Sequence, residues 1–210
     1  MLGLAIHTSS PQLGLMLKSV DSRQEDAVER HQVWDLGREV SSQLHVKMME
    51  FMEPHNWQDL SFVAVAKGPG GFTGTRVGVV AARTLAQQLN IPLFGVSTLA
   101  ALAAGAQAAP QDIAVMMPAK REAVFGGIYR PGEKGDLQPV LDDSVMPADE
   151  WAAVADSWER PLVSVQAAMG AGIAASVTGV MGVAIARWHL GQRPDWSSVL
   201  PFYGQHPVHR

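Results

Sequence analysis

The stretch Lys67-Gly68-Pro69-Gly70-Gly71-Phe72-Thr73-Gly74-Thr75-Arg76-Val77-Gly78 decides how the rest of the chain is read. It follows Leu60 to Ala66, a nearly continuous apolar run whose lack of polar alternation marks a strand covered on both faces. It leads into a segment of helical periodicity that reaches about Leu89. Five glycines within the eleven residues 68–78 mark backbone that takes a positive φ or approaches something closely. Thr73 is placed to cap the helix, although Arg76 stands where a capping box would want Glu or Gln. A glycine loop feeding a helix N-terminus can hold an anion, so Gly68, Gly70, Gly71, Thr73 and Arg76 are candidates for a vestigial phosphate turn. Both familiar phosphate patterns fail. No Gly-Lys-Ser or Gly-Lys-Thr occurs anywhere, and a dinucleotide fingerprint begun at Gly68 has Thr73 in place of its third glycine. A structural strand-to-helix turn therefore stands beside the phosphate reading.

The helix after the turn is more specific than the turn. Gly74, Gly78, Ala82 and Ala86 recur every four residues as one smooth ridge that lets another helix or a sheet come close. Val77, Ala81, Leu85 and Leu89 form the adjoining apolar stripe, with Arg76, Arg83, Gln87 and Asn90 on another face. Such a helix is either deeply buried or shared between its own sheet and a partner.

Working outward, Leu2 to Thr8 and Leu13 to Leu17 read as a hairpin, with a third strand over Ala27 to Val33. Leu36, Val40, Leu44 and Met48 fall four apart and give an amphipathic helix closed by Met49, Phe51 and Met52. Leu93 to Val96 is a short strand, and Ser97-Thr98 caps an Ala-rich helix ending near Gly105. After a small-residue connection over Gln107 to Gln111, a second unit follows. Ile113 to Met117, Ala123 to Tyr129 and Gln138 to Val145 read as strands, with a wide turn at Pro131 to Asp136. Ala148 to Ala155 is a helix, Leu162 to Val165 a strand and Gly172 to Leu190 the last helix. The second half thus echoes the first in eroded form, with units over 1–105 and 106–210.

Length and composition bound the function. The chain has 210 residues, 47% hydrophobic and 17% charged, and a net charge of −4. That is ample apolar material for a core and a poor match to nucleic-acid binding driven by counterion release. Cysteine is absent, which removes disulfides, thiolate zinc sites and cysteine nucleophiles. His7, His31, His45, His55 and His189 are isolated, and only His206 and His209 are near each other, so no metal site is expected. No Gly-x-Ser-x-Gly elbow occurs, although spacing alone does not dismiss a Ser-His-Asp triad. The uncharged run from Ala167 to Ala186 is long enough to span a bilayer, but its Ala and Gly content suits a buried helix better. The aromatic, Pro-rich end, with Trp188, Trp196, Phe202 and Tyr203, either packs back across the core or offers a docking strip.

The glycine string, then Thr84-Leu-Ala, Ile91-Pro-Leu-Phe-Gly-Val-Ser and Leu99-Ala-Ala-Leu, resembles the TsaB (YeaZ) family. Leu4-Ala-Ile-His-Thr-Ser-Ser fits that family's opening strand and Leu200-Pro-Phe-Tyr-Gly its end. The resemblance is carried mainly by residues 1–105. It implies an α/β fold of two ribonuclease-H-like lobes of the actin, Hsp70 and sugar-kinase type, the second truncated. It also implies a non-catalytic, cytoplasmic scaffold in threonylcarbamoyl modification of tRNA. The implied partners are a TsaD-like ligase and a TsaE-like ATPase, with self-association as a homodimer and tRNA met only through the complex. Helices of the first lobe are the implied pairing surface, which makes Leu36, Val40, Met48, Gly74, Gly78, Ala82 and Ala86 candidate interface residues. No cofactor is expected on the chain alone, with ATP or ADP at a complex interface left open. Two departures matter. His7 stands where related proteins end their first strand in Asp, and Pro118-Ala119-Lys120-Arg121 stands where they open the second lobe with an acidic residue. Phosphotransferases of this fold use carboxylates there near Mg²⁺ and phosphates, so the rival reading, a small-molecule kinase or ATPase, lacks its metal-holding pair.

Overall fold

The computed structural model describes residues 1–21, 27–106, 111–168 and 172–204. The connection expected over 107–111 therefore lies almost wholly outside the described residues, as do Gly170, His206 and His209.

The first sheet is built from β1 (Leu2–His7), β2 (Gln12–Ser19), β3 (Glu29–Asp35), β4 (Leu60–Ala66) and β5 (Leu93–Val96) in the order β3-β2-β1-β4-β5. β1, β2 and β3 form an antiparallel meander, while β4 and β5 join parallel to β1. Helix α1 (Val40–Met52) links β3 to β4, α2 (Phe72–Leu89) links β4 to β5, and α3 (Thr98–Gly105) follows β5. The second sheet holds β6 (Asp112–Pro118), β7 (Ala123–Pro131), β8 (Leu137–Pro147) and β9 (Leu162–Gln166) in the order β8-β7-β6-β9. Helix α4 (Ala148–Asp156) links β8 to β9, and α5 (Val177–His189) comes last.

The two sheets repeat one plan. β6, β7, β8 and β9 match β1, β2, β3 and β4 in order and direction, and α4 matches α1 in connectivity. This is the expected pair of ribonuclease-H-like lobes, the second shortened. The shortening is local: among the described residues nothing corresponds to α2 and β5.

Strand alternation sorts the apolar residues into layers. Leu2, Leu4 and Ile6 of β1 point to one face with Val63 and Val65 of β4, where α1 and α2 cover them. Ala5, Phe62 and Ala64 point to the other face, into a core shared with α3, α5 and the second sheet. Trp151 of α4 closes a third cluster over Ala114, Val124 and Ile128 on the far side of that second sheet. The order is thus α1/α2, sheet, α3/α5, sheet, α4. β4, covered on both faces, is apolar but for the half-buried Ser61, as its sequence leads one to expect.

Two local expectations are corrected and a third is met. Thr73 is not the cap of α2: the helix begins at Phe72 with Gly71 as N-cap, and no side chain caps it. The last helix does not run from Gly172; a 3₁₀ turn at Ile173–Ser176 precedes α5, with Gly172 at φ +84°. The buried helix preferred for the uncharged run is found in α5, which is 13 residues long and packed between the sheets. No helix among the described residues is long and apolar enough to cross a membrane.

Candidate functional site

The glycine turn at the C-terminal end of β4 is spent on its own chain. Gly71 N–H donates to Ser9 O at 2.8 Å, and Thr98 N–H donates to Gly68 O at 2.8 Å. Gly68 has φ +103°, and a Cβ there would lie 2.1 Å from Phe202 O, so only glycine fits. Gly70 is packed as closely on Ser9. Of the five turn candidates, Gly68 and Gly70 thus face the chain's own backbone, while Gly71, Thr73 and Arg76 are exposed. The Gly68 and Gly70 part of the turn is thus a strand-to-helix splice packed on the chain itself.

The small-residue ridge of α2 lies against the end of β1, which overturns its assignment to a partner. A Cβ on Gly74 would stand 2.2 Å from Thr8 O, and one on Gly78 would stand 2.1 Å from Thr8 Oγ1. Thr8 Oγ1 itself donates to Gly74 O at 2.8 Å. Ala82 and Ala86 are fully buried in the core beneath the helix. On α1, Val40 and Met48 are buried and Leu36 packs against the same core. Gly74, Gly78, Ala82, Ala86, Leu36, Val40 and Met48 therefore face inward. The spacing rightly signals close approach, but the neighbour is the chain's own strand end.

The outward faces of α1 and α2 carry a different set. Val46 and Met49 on α1 are 40% and 57% exposed, and Phe72 and Val80 on α2 are 43% and 55% exposed. The two helices touch, so these side chains share one side of the molecule. The sequence signal for Val80 was weak: it is a lone apolar residue in the stripe Arg76, Val80, Thr84, which reads as a solvated face.

His7 ends β1 on the side facing the second lobe and is fully buried. Its Nδ1 accepts from Ser9 N–H at 3.4 Å, and its Nε2 has no protein partner. Burial pushes its pKa from 6.5 down to about 4, so the ring is neutral at pH 7. It supplies neither the charge nor the oxygens of the Asp expected there. At the opposite turn, β6 ends at Pro118, and Arg121 and Glu122 both adopt φ +59° to reach β7.

Two polar clusters went unseen in the sequence because their members are far apart along the chain. Ser97, the N-cap of α3, hydrogen-bonds Asp143 of β8 and lies 3.2 Å from Tyr129 Oη of β7, while Tyr129 also donates to Asp143. Burial raises the Asp143 pKa, opposed by the bonds from Ser97 and Tyr129. Ser97 Oγ already accepts from the amides of Leu99 and Ala100 and meets no histidine, so this is an inter-lobe bolt and carries no activated nucleophile. The second cluster surrounds buried Asp112, which takes both arms of Arg130 at 2.9 Å and Trp158 Nε1 at 3.0 Å. The bidentate Arg130 contact holds the Asp112 pKa at about 2, against the opposing effect of burial. Among the described residues no three His, Asp or Glu converge as metal ligands.

The model of the family described as TsaD, tRNA N6-adenosine threonylcarbamoyltransferase, matches residues 39–176. The tRNA threonylcarbamoyladenosine biosynthesis protein TsaB of Bacillus subtilis is 33% identical over 162 residues, covering 76% of this chain and 68% of that protein. TsaB of Escherichia coli is 29% identical over 114 residues, covering 48% of this chain and 49% of its own length. The solved structure of YeaZ from Pseudomonas aeruginosa superposes with a TM-score of 0.73 at 20% identity, over 96% of this chain and 99% of that one, and so shares the fold. Together with the two-lobe architecture, these matches place the chain in the TsaB family.

Proposed function

We propose that this chain works in tRNA threonylcarbamoyladenosine biosynthesis as a non-catalytic subunit that pairs with a TsaD-like ligase through the outer faces of α1 and α2. The observation that carries the reading is the apolar set Val46, Met49, Phe72 and Val80 on two touching surface helices. Clustered apolar side chains on a helix pair suit burial against another helix pair, and removing each from water contributes about 1 kcal/mol or more. The Gly71 amide bonded to Ser9, the Gly68 carbonyl bonded to Thr98 and the neutral His7 speak against phosphoryl transfer by the chain alone. The TsaE-like ATPase and tRNA then join the assembly through the ligase, any ATP or ADP sits at a subunit junction, and the same helix face supports a homodimer when the ligase is absent. The setting is cytoplasmic.

Co-expression with a candidate ligase followed by size exclusion tests the pairing. Val80→Glu combined with Met49→Glu is expected to abolish co-elution, with stability unchanged within about 0.5 kcal/mol because both sites are exposed. Retained pairing would place the interface elsewhere. Stabilisation of the isolated chain by micromolar Mg-ATP would favour the kinase or ATPase reading instead, since a ligand that binds only the native state must raise the melting temperature.

A further inference from the structure

Helix α2 has a weak start. Its N-cap, Gly71, provides no side-chain hydrogen bond, and glycines at 68, 70 and 71 precede it. Glycine loses more freedom on ordering than any other residue, and an uncapped first turn leaves amides unsatisfied. Such a start frays unless something outside the helix holds it.

The segment after α5 packs against this start from outside. Gly191, at φ +80°, turns the chain out of α5, and Pro194 O accepts from Leu93 N–H at 3.2 Å, which ties the segment to β5. The Trp196 ring lies 5.6 Å from the Arg83 guanidinium, in the second half of α2. Val199 fills the space over Gly95, where a Cβ would stand 2.8 Å from it. Phe202 N–H donates to Lys67 O at 2.6 Å, just ahead of the turn. Tyr203 stacks on Phe72, the first residue of α2, with ring centroids 4.5 Å apart. Gly204 then rests on Phe125 and Val145 of the second lobe.

We infer that residues 196–204 form a clasp that packs against the uncapped start of α2, steadies its first turn and thereby pre-orders the pairing face. Phe72 belongs to both structures: it carries Tyr203 and is one of the four outward apolar residues. A face ordered beforehand loses less entropy on association, so the clasp favours pairing without touching the partner. The link to pairing rests on the proposed function; the clasp itself does not.

The test uses two substitutions in the full chain, Tyr203→Ala and Phe202→Pro, the second removing the N–H that reaches Lys67. Amide hydrogen exchange over residues 70–76 is expected to quicken at least tenfold, with β6 to β8 unchanged, and affinity for the ligase is expected to fall about tenfold. Tyr203→Phe keeps the stacked ring and should behave as the unaltered chain. Unchanged exchange over 70–76 in both variants would overturn the clasp. Faster exchange with undiminished affinity would overturn its control of pairing. If the unaltered chain does not bind the ligase, the pairing reading fails, while the exchange data still decide the clasp.

Discussion

The two lobes share four strands and part ways after the fourth. In the first lobe β4 is flanked by β5 and covered by α2, and its sequence, Leu-Ser-Phe-Val-Ala-Val-Ala, is buried almost throughout. Its counterpart β9 is an edge strand reading Leu-Val-Ser-Val-Gln, with Ser164 and Gln166 exposed. The polarity of β9 follows from the loss of a single helix–strand unit beside it. What both lobes keep is the part that builds their common core: the meander, the first parallel strand and one helix between the sheets. What the first lobe alone retains is the glycine turn and α2, the helix to which the proposed pairing face and clasp both belong.

The largest expected effect tests whether α2 is an integral layer of the first lobe. Gly74→Ala drives a methyl into Thr8 O, a backbone atom that cannot swing aside. Overpacking of this kind should cost about 3 kcal/mol or more, read as a lowered urea midpoint. A variant of normal stability would mean that α2 stands away from β1, and the ridge would again be open to a partner.

That prediction reverses what the spacing alone suggests, and the reason is physical. Strand and helix positions were legible because apolar runs and four-residue periods are local: Leu60–Ala66 and Leu93–Val96 fall where the sequence puts them. Period identifies the faces of a helix but not which face turns inward. Gly74, Gly78, Ala82 and Ala86 announced a close neighbour, and the neighbour proved to be Thr8, 66 residues upstream of the Gly74 carbonyl it bonds. The same limit hid the Ser97–Asp143–Tyr129 bolt, whose members lie 32 and 46 residues from Ser97. The repeat of the strand order was visible only in outline, because β9 and β4 have opposite exposures and so dissimilar sequences.

A second test concerns the ends of the equivalent first strands. His7 is buried neutral, with its pKa pushed down to about 4 from 6.5. The unfolded chain therefore binds a proton in that window while the folded chain does not, so stability is full above pH 6.5 and falls as the pH drops towards 4. A depression of that size corresponds to about 3 kcal/mol. His7→Gln should flatten the acid limb of stability against pH, and a limb of unchanged steepness would assign the loss to other groups.

The starts of those strands differ as well. β1 opens on Leu2, buried among apolar residues, whereas β6 opens on Asp112, buried with Arg130 and Trp158. Asp112→Asn removes the charge that holds the arginine fork. Because Arg130 is 39% exposed and partly rehydrates, the expected cost is about 2 kcal/mol, below that of breaking a fully buried pair. A neutral result would mean that the second lobe is held by its apolar cluster alone.

The smallest effect has the opposite sign and sharpens the contrast with Gly74. Gly182 lies in the middle of α5, exposed, and among the described residues beyond the helix's own backbone no atom lies within 4 Å of where a Cβ would stand. Three residues earlier Gly179 would place a Cβ 2.0 Å from Ala101 O, so the two glycines of one helix answer to different causes. Gly179 permits α5 to lie against α3 between the sheets; a Cβ on Gly182 would meet nothing among the described residues. Replacing Gly182 with Ala should therefore stabilise the protein by up to about 1 kcal/mol, the helix-propensity difference between the two residues. A loss of stability would show that this side of α5 is covered in the free protein. A gain in stability accompanied by weaker binding of the ligase would show that a partner approaches the backbone at Gly182, and the second lobe would then contribute an interface of its own.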